Sequence, residues 1–214
     1  MDSLSSKENI LRKIRKALQQ TVPLPFPASD GNINAFKDPG HDLSIVFAEQ
    51  FTRLTGKFAY CLSEAEAVNQ ILSLCKQRQW NELYCVEEEI KSVFNKTGFN
   101  NFTALPLADA HVAITSCESL VARTGTIVLS SALREGRTAS VYAPIHICWA
   151  RTGQLVFDIK DGLQQLQKKY GNNLPSLISF ASGPSRTADI EKTLVVGVHG
   201  PAEVYCFLIE SDEV

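Results

Sequence analysis

Long apolar runs are missing from this chain. No stretch approaches the roughly 20 residues that a helix needs to cross a bilayer, so membrane insertion is not expected. The N-terminal "MDSLSSKENILRKIRKALQQ" alternates charge with aliphatics and has no signal-type apolar core, which points to a cytoplasmic protein. An excess of one charge is missing too. The 21 basic and 23 acidic residues leave a formal net charge of -2, too weak a field to draw the chain onto nucleic acid or an anionic surface. Cys61, Cys75, Cys85, Cys117, Cys148 and Cys206 form no CxxC pair and have no histidine at ligand spacing. No zinc, iron-sulfur cluster or other cofactor is therefore expected within this chain. Most of these thiols sit in apolar stretches and read as small core hydrophobes, with a reactive Cys117 as the alternative. The patterns GxGxxG, GxSxG, HExxH and GxxxxGK[ST] are also lacking, which removes the commonest dinucleotide, serine-hydrolase, metalloprotease and P-loop chemistries.

What is present suits one α/β core. The 214 residues are 44% hydrophobic, enough to bury a single sizeable interior. Residues 1–22 read as an amphipathic helix: Ser5 and Glu8 have capping-box spacing, and Ile10, Leu11, Ile14 and Leu18 form a stripe opposite a basic face. That stripe suits docking on the chain's own domain or on a second copy in a homodimer. Pro23, Pro25 and Pro27 end the helix and open a linker and extension over 23–56. From residue 57 to 214, short apolar strands ("KFAYCL", "ELYCV", "HVAIT", "TIVLS", "IHICWA", "SLISFA", "EVYCFLIE") alternate with helical periods after Ser63, at "EEEIKSVFN" and at "DIKDGLQQLQKKYG". This predicts a three-layer α/β/α domain with a mainly parallel sheet. The crowded strands between Ala113 and Ala150 predict an antiparallel portion as well.

Four loops carry candidate chemistry. "SGPSRT" follows a strand and precedes "ADIEK", read as a short helix; Gly183 permits a sharp turn, Ser185 or Thr187 can cap, and Arg186 offers a planar fork for a carboxylate or phosphate. The plainer reading pairs Arg186 with Asp189 or Glu191. "GVHGP" sets His199 beside Gly200, either for proton transfer or as an ordinary hydrogen-bonded loop histidine. "RTGTIVL" offers Thr124, Gly125 and Thr126 to a ligand, or simply turns into a strand. In "REGRTASVYAPIHI", Arg137 binds an anion or solvates the loop, and His146 is a core histidine or a site residue.

The strings "TGTIVL", "PIHI" and "GPSRTADIEKTLVVGVHGP", in this order, closely resemble the lactate-utilisation (LUD) domain family, of the lactate utilisation protein C type, over roughly residues 40 to 210. The resemblance implies a fold like that of the glucosamine-phosphate isomerase, ribose-phosphate isomerase and coenzyme A transferase group (NagB/RpiA/CoA transferase-like), with ligands at strand ends. It further implies a cluster-free subunit of a cytoplasmic system that oxidises L-lactate to pyruvate, with iron-sulfur clusters in partner subunits, inactive by itself, and binding a small anion. Position by position, the resemblance carries over Thr124, Gly125, Thr126, His146, Gly183, Ser185, Arg186, Thr187, Asp189, His199 and Gly200. His199 and Asp189 are the expected catalytic pair, and Arg186 the expected carboxylate clamp. Arg123 departs from the family pattern, in which many relatives carry glutamate, so a carboxylate role there does not transfer. Two other classes stay open: a non-catalytic assembly or metabolite-sensing module, and a phosphosugar or coenzyme A enzyme of the same fold.

Overall fold

The computed structural model describes residues 6–19, 40, 42–134, 137–190 and 193–211. The chain divides into two units, residues 1–37 and 38–214. In the first, α1 (Ser6–Leu18) forms where the 3.6-residue period predicts it, with Arg15 and Lys16 in the last turn, favourable against the helix dipole. The expected cap Ser5 and the proline stretch 23–27 lie outside the described residues.

The second unit runs α2 (Leu43–Arg53), β1 (Lys57–Cys61), α3 (Glu64–Arg78), β2 (Leu83–Tyr84), α4 (Glu88–Lys96), β3 (Val112–Thr115), β4 (Ser119–Val121), β5 (Thr126–Ser130), α5 (Ala139–Tyr142), β6 (Ile145–Arg151), β7 (Leu155–Val156), α6 (Ile159–Tyr170), β8 (Ile178–Ala181), β9 (Arg186–Ile190), β10 (Thr193–Val196) and β11 (Glu203–Ile209). The main sheet has the order β1-β11-β6-β3-β2, and every pairing in it is parallel. Helices flank it, as expected. A second sheet, β7-β4-β5-β8, contains the antiparallel pair β4–β5 that the crowded strands foretold and a further antiparallel pair, β5–β8.

Local chemistry accounts for the helix ends. Ser63 accepts from the Glu66 amide at 3.2 Å, and the Glu66 carboxylate accepts from the Leu62 amide at 2.8 Å, so α3 starts where the spacing placed it. Asp158 caps α6, with Asp161 reaching back to the Asp158 amide at 2.9 Å.

Strand alternation then sorts the core. Ile145, Ile147 and Trp149 of β6, with Tyr205, Phe207 and Ile209 of β11, pack against α3 and α4. The intervening Cys148, Ala150, Cys206 and Leu208 face the second sheet and α2. All six cysteines are buried and free, and burial pushes Cys61 and Cys75 up to about 11 and Cys85 up to about 12, so these thiols stay protonated.

Two readings need correcting. The segment 43–53, placed within the linker and extension, contains α2, whose Phe47 and Phe51 are fully buried and stacked with ring centroids 5.3 Å apart. The stretch "ADIEK" is not a helix: Arg186–Ile190 is β9, paired antiparallel with β10. β-branched residues on both arms (Thr187, Ile190, Thr193, Val195, Val196) favour the extended form over an isolated turn of helix, which nucleates poorly at this length.

Candidate functional site

A hollow of about 260 Å³ opens between the main sheet and the end of β8. Sequence alternation builds its floor. His146 is the second residue of β6 and Val204 the second of β11, and these are register partners, so both stand at the amino ends of adjacent parallel strands on the face away from α3 and α4. Leu129 of β5 and Ser140 of α5 close the sides. The rim comes from two loops: Ser182 to Ser185 after β8, and His199 to Pro201 before β11.

These loops hold each other by backbone contacts that need glycine. The Ser185 amide donates to Pro201 O at 2.9 Å, and the Gly197 amide donates to Ser185 O at 3.0 Å. A Cβ on Gly200 would stand 2.8 Å from Ser185 Cβ, so only glycine lets the two loops close to this distance.

His146 is buried, and its Nε2 lies 2.8 Å from Thr115 Oγ1, itself buried on the next strand. Its Nδ1 makes no hydrogen bond among the described residues. Burial pushes the imidazole down to about 4, so it is neutral at physiological pH. His199 is exposed on the rim. With Ser140, Ser179, Ser182 and Ser185 the hollow carries hydroxyls and two imidazoles, and no Lys, Arg, Asp or Glu lines it among the described residues. The amides of Val198, His199 and Gly200 donate to nothing among the described residues. Such a lining can hold a small polar ligand through neutral donors, and the histidine on the rim can exchange a proton with it.

The other residues singled out in the sequence stand elsewhere. The Arg186 guanidinium donates to Leu54 O and, at 3.0 Å, to Thr55 Oγ1 at the end of α2, where a cation complements both the unpaired carbonyls and the dipole. Gly183 (φ +81°) supports that junction, since a Cβ there would meet Leu54 O at 2.6 Å. Gly125 (φ +57°) presses on the same helix, its notional Cβ only 2.4 Å from Phe51 N. Thr124 and Thr126 lie off the hollow, although Thr126 Oγ1 reaches Ser182 Oγ on its rim at 2.7 Å and Thr124 Oγ1 at 2.8 Å. Thr187 sits in β9, and Arg137 is exposed and bonded to Ser176 Oγ. The Asp189 side chain lies outside the described ones.

Arg123 forks onto Asp158, with Nη2–Oδ1 at 3.0 Å and Nε–Oδ2 at 3.2 Å, and holds that carboxyl below its ordinary range. Its charge is spent pinning the start of α6. Ser140 and Ser179 were not foreseen; the only signal for Ser179 was its alternation with Ile178 and Phe180.

A second, wider cleft of about 530 Å³ lies at the carboxyl ends of β2, β3 and β6, where parallel sheets usually bind ligands. Its cations are engaged: Arg151 with Glu64, Lys169 with Glu118 at 2.8 Å, and Arg134 with Glu88 at 3.8 Å.

The arrangement defines an α/β protein with a mainly parallel main sheet and a histidine-lined hollow between that sheet and the four-stranded one. The chain belongs to the LUD domain family, whose pattern matches residues 46–209. It is 24% identical to an uncharacterized protein of Neisseria meningitidis serogroup B over 99% of this chain and 96% of that one. It is 31% identical to lactate utilization protein C 1 of Bacillus mycoides over 62% of this chain and 65% of that one, and 39% identical to lactate utilization protein C of Halalkalibacterium halodurans over 48% and 45%. The chain thus spans about half to two thirds of the length of these two relatives. A DUF162 family protein of Deinococcus radiodurans shares the fold, with a TM-score of 0.57 over 78% of this chain and 96% of that chain at 20% identity. Among the described residues no helix is long and apolar enough to cross a membrane.

Proposed function

We propose that this chain is a component of a cytoplasmic lactate-utilisation system and that the hollow between His146 and His199 binds a small 2-hydroxy or 2-oxo acid. The observation that carries the reading is the convergence of two imidazoles and four serine hydroxyls on one small hollow in a LUD domain. At about 260 Å³ it falls just under the range of about 300–1,000 Å³ typical of drug-sized ligands, which suits a three-carbon acid. The names of the lactate utilization relatives supply the substrate class. The serine hydroxyls and the amides of residues 198–200 hold the carboxylate, while neutral His146, fixed by Thr115, meets the hydroxyl or keto oxygen.

Oxidation of a 2-hydroxy acid releases two electrons and two protons. In this reading His199 would take the hydroxyl proton at the rim, the second proton would pass to solvent, and both electrons would go to iron-sulfur clusters held by partner subunits. The isolated chain is therefore expected to bind the acid without turning it over. Arg186, bonded at the end of α2, acts on the site by holding the loop from Gly183 to Ser185 in position.

Isothermal titration with lactate and pyruvate tests this. Loss of one hydrogen bond to a charged ligand costs about 1.5–3 kcal/mol, so His199→Ala is expected to weaken binding by about tenfold or more. A parent protein that takes up neither acid, or a His199→Ala variant that binds both as well as the parent, ends the reading.

A further inference from the structure

The histidine hollow does not end at His199. A second hollow of about 400 Å³ adjoins it, bounded by Tyr142, Pro144, Gly197 and Val198, and the two share Val141, His199 and Gly200. The outer hollow differs in chemistry from the inner one. Val141, Tyr142 and Val198 are 43%, 64% and 45% exposed, a cluster of apolar side chains left open around a concave surface. Glycine at 197 and 200 leaves backbone where side chains would otherwise stand, because a Cβ at either position would collide with Ala202 or Ser185.

We infer that the two hollows form one bipartite site for a 2-hydroxy or 2-oxo acid that carries an aryl group at C3, the acid lying in the inner hollow and the ring against Tyr142, Pro144 and Val198. The assignment rests on the acid-binding reading above and narrows its substrate class. Three features support it. The inner hollow supplies hydroxyls and imidazoles suited to an acid, and among the described residues its lining offers no Phe, Tyr or Trp side chain for a ring to stack on. The outer hollow is continuous with it and offers apolar walls without a charged group. Tyr142 presents an exposed aromatic side chain to the outer hollow, and an aromatic partner gains there both apolar burial and ring–ring contact.

The test uses the full chain and isothermal titration with lactate and with 3-phenyllactate, which share the acid and differ only in the ring. Phenyllactate is expected to bind about tenfold or more tightly than lactate, and Tyr142→Ala to bring that ratio close to unity. Because Tyr142 is mostly exposed, the variant is expected to melt like the parent, and Val198→Asp gives an independent probe of the same wall. Equal affinity for the two acids overturns the inference and leaves the acid-binding reading standing. Binding of neither acid ends both. A phenyllactate preference that survives both Tyr142→Ala and Val198→Asp also overturns the inference, because the ring then lies elsewhere.

Discussion

The two faces of the main sheet are built from alternate residues of the same strands, yet they serve different ends. Toward α3 and α4, β6 and β11 present Ile147, Trp149, Phe207 and Ile209, and the aromatic rings of Phe94, Phe99 and Phe102 close over them. Phe94 stands 5.3 Å from Phe102 and 5.9 Å from Trp149, ring centroid to centroid. Toward the second sheet the same strands present smaller groups, Cys148, Ala150 and Cys206, and near the amino end of β6 stands His146, bonded to Thr115 at the carboxyl end of the neighbouring β3. One face maximises apolar burial. The other packs on α2 and the second sheet but gives up some burial at its amino end to keep a polar hollow open, closed there by glycine-containing, hydrogen-bonded loops.

The contrast can be broken first on the apolar side. Phe94→Ala removes a fully buried ring from the centre of the aromatic cluster and is expected to cost about 3–5 kcal/mol in denaturant unfolding. A loss below about 1 kcal/mol would show that the cluster is not close-packed.

The polar face is expected to answer to pH instead. The His146 imidazole is pushed from 6.5 down to about 4 by burial, so as pH falls below 6.5 the unfolded chain takes up a proton that the folded chain refuses. Stability is complete above that value, declines between 6.5 and 4 and levels off below, a loss of about 3 kcal/mol from this group. Unfolding midpoints measured across that range for the parent and His146→Gln should differ in slope. Identical slopes would mean that the folded imidazole is charged after all.

The smallest effect belongs to the junction between the hollow and α2. Arg186→Ala removes the bonds to Leu54 O and Thr55 Oγ1 and is expected to cost about 1 kcal/mol, read as a modest drop in Tm. A larger loss of acid affinity than of stability would sharpen the comparison further, because it would show that the loop's position, and not only its presence, serves the site.

How much of this was legible beforehand follows from the range of the interactions involved. Strands β1, β3, β5, β6, β8 and β11 and helices α3, α4 and α6 announce themselves through local periodicity and caps. His146 and His199 stood out as residue types. The helix α2 escaped notice because its signal, Asp42 as cap and two phenylalanines four residues apart, is short and follows a proline-rich stretch. "SGPSRTADIEK" misled because a strand, a glycine turn and hydroxyl residues are the usual prelude to a helix N-terminus. Pairing with β10 across the hairpin decided otherwise.

By itself the sequence determined the class of fold, the exclusion of the common nucleotide and hydrolase motifs, and the alternation that puts a histidine on one face of β6, because all of these depend on residues near one another in the chain. Only the tertiary structure decided which motif residues share a hollow. Arg186 and Gly125 go to the α2 junction while Ser185 and His199 meet at the rim, because the side chain that satisfies a helix end or tolerates a close backbone is chosen by neighbours more than a hundred residues or a whole sheet away.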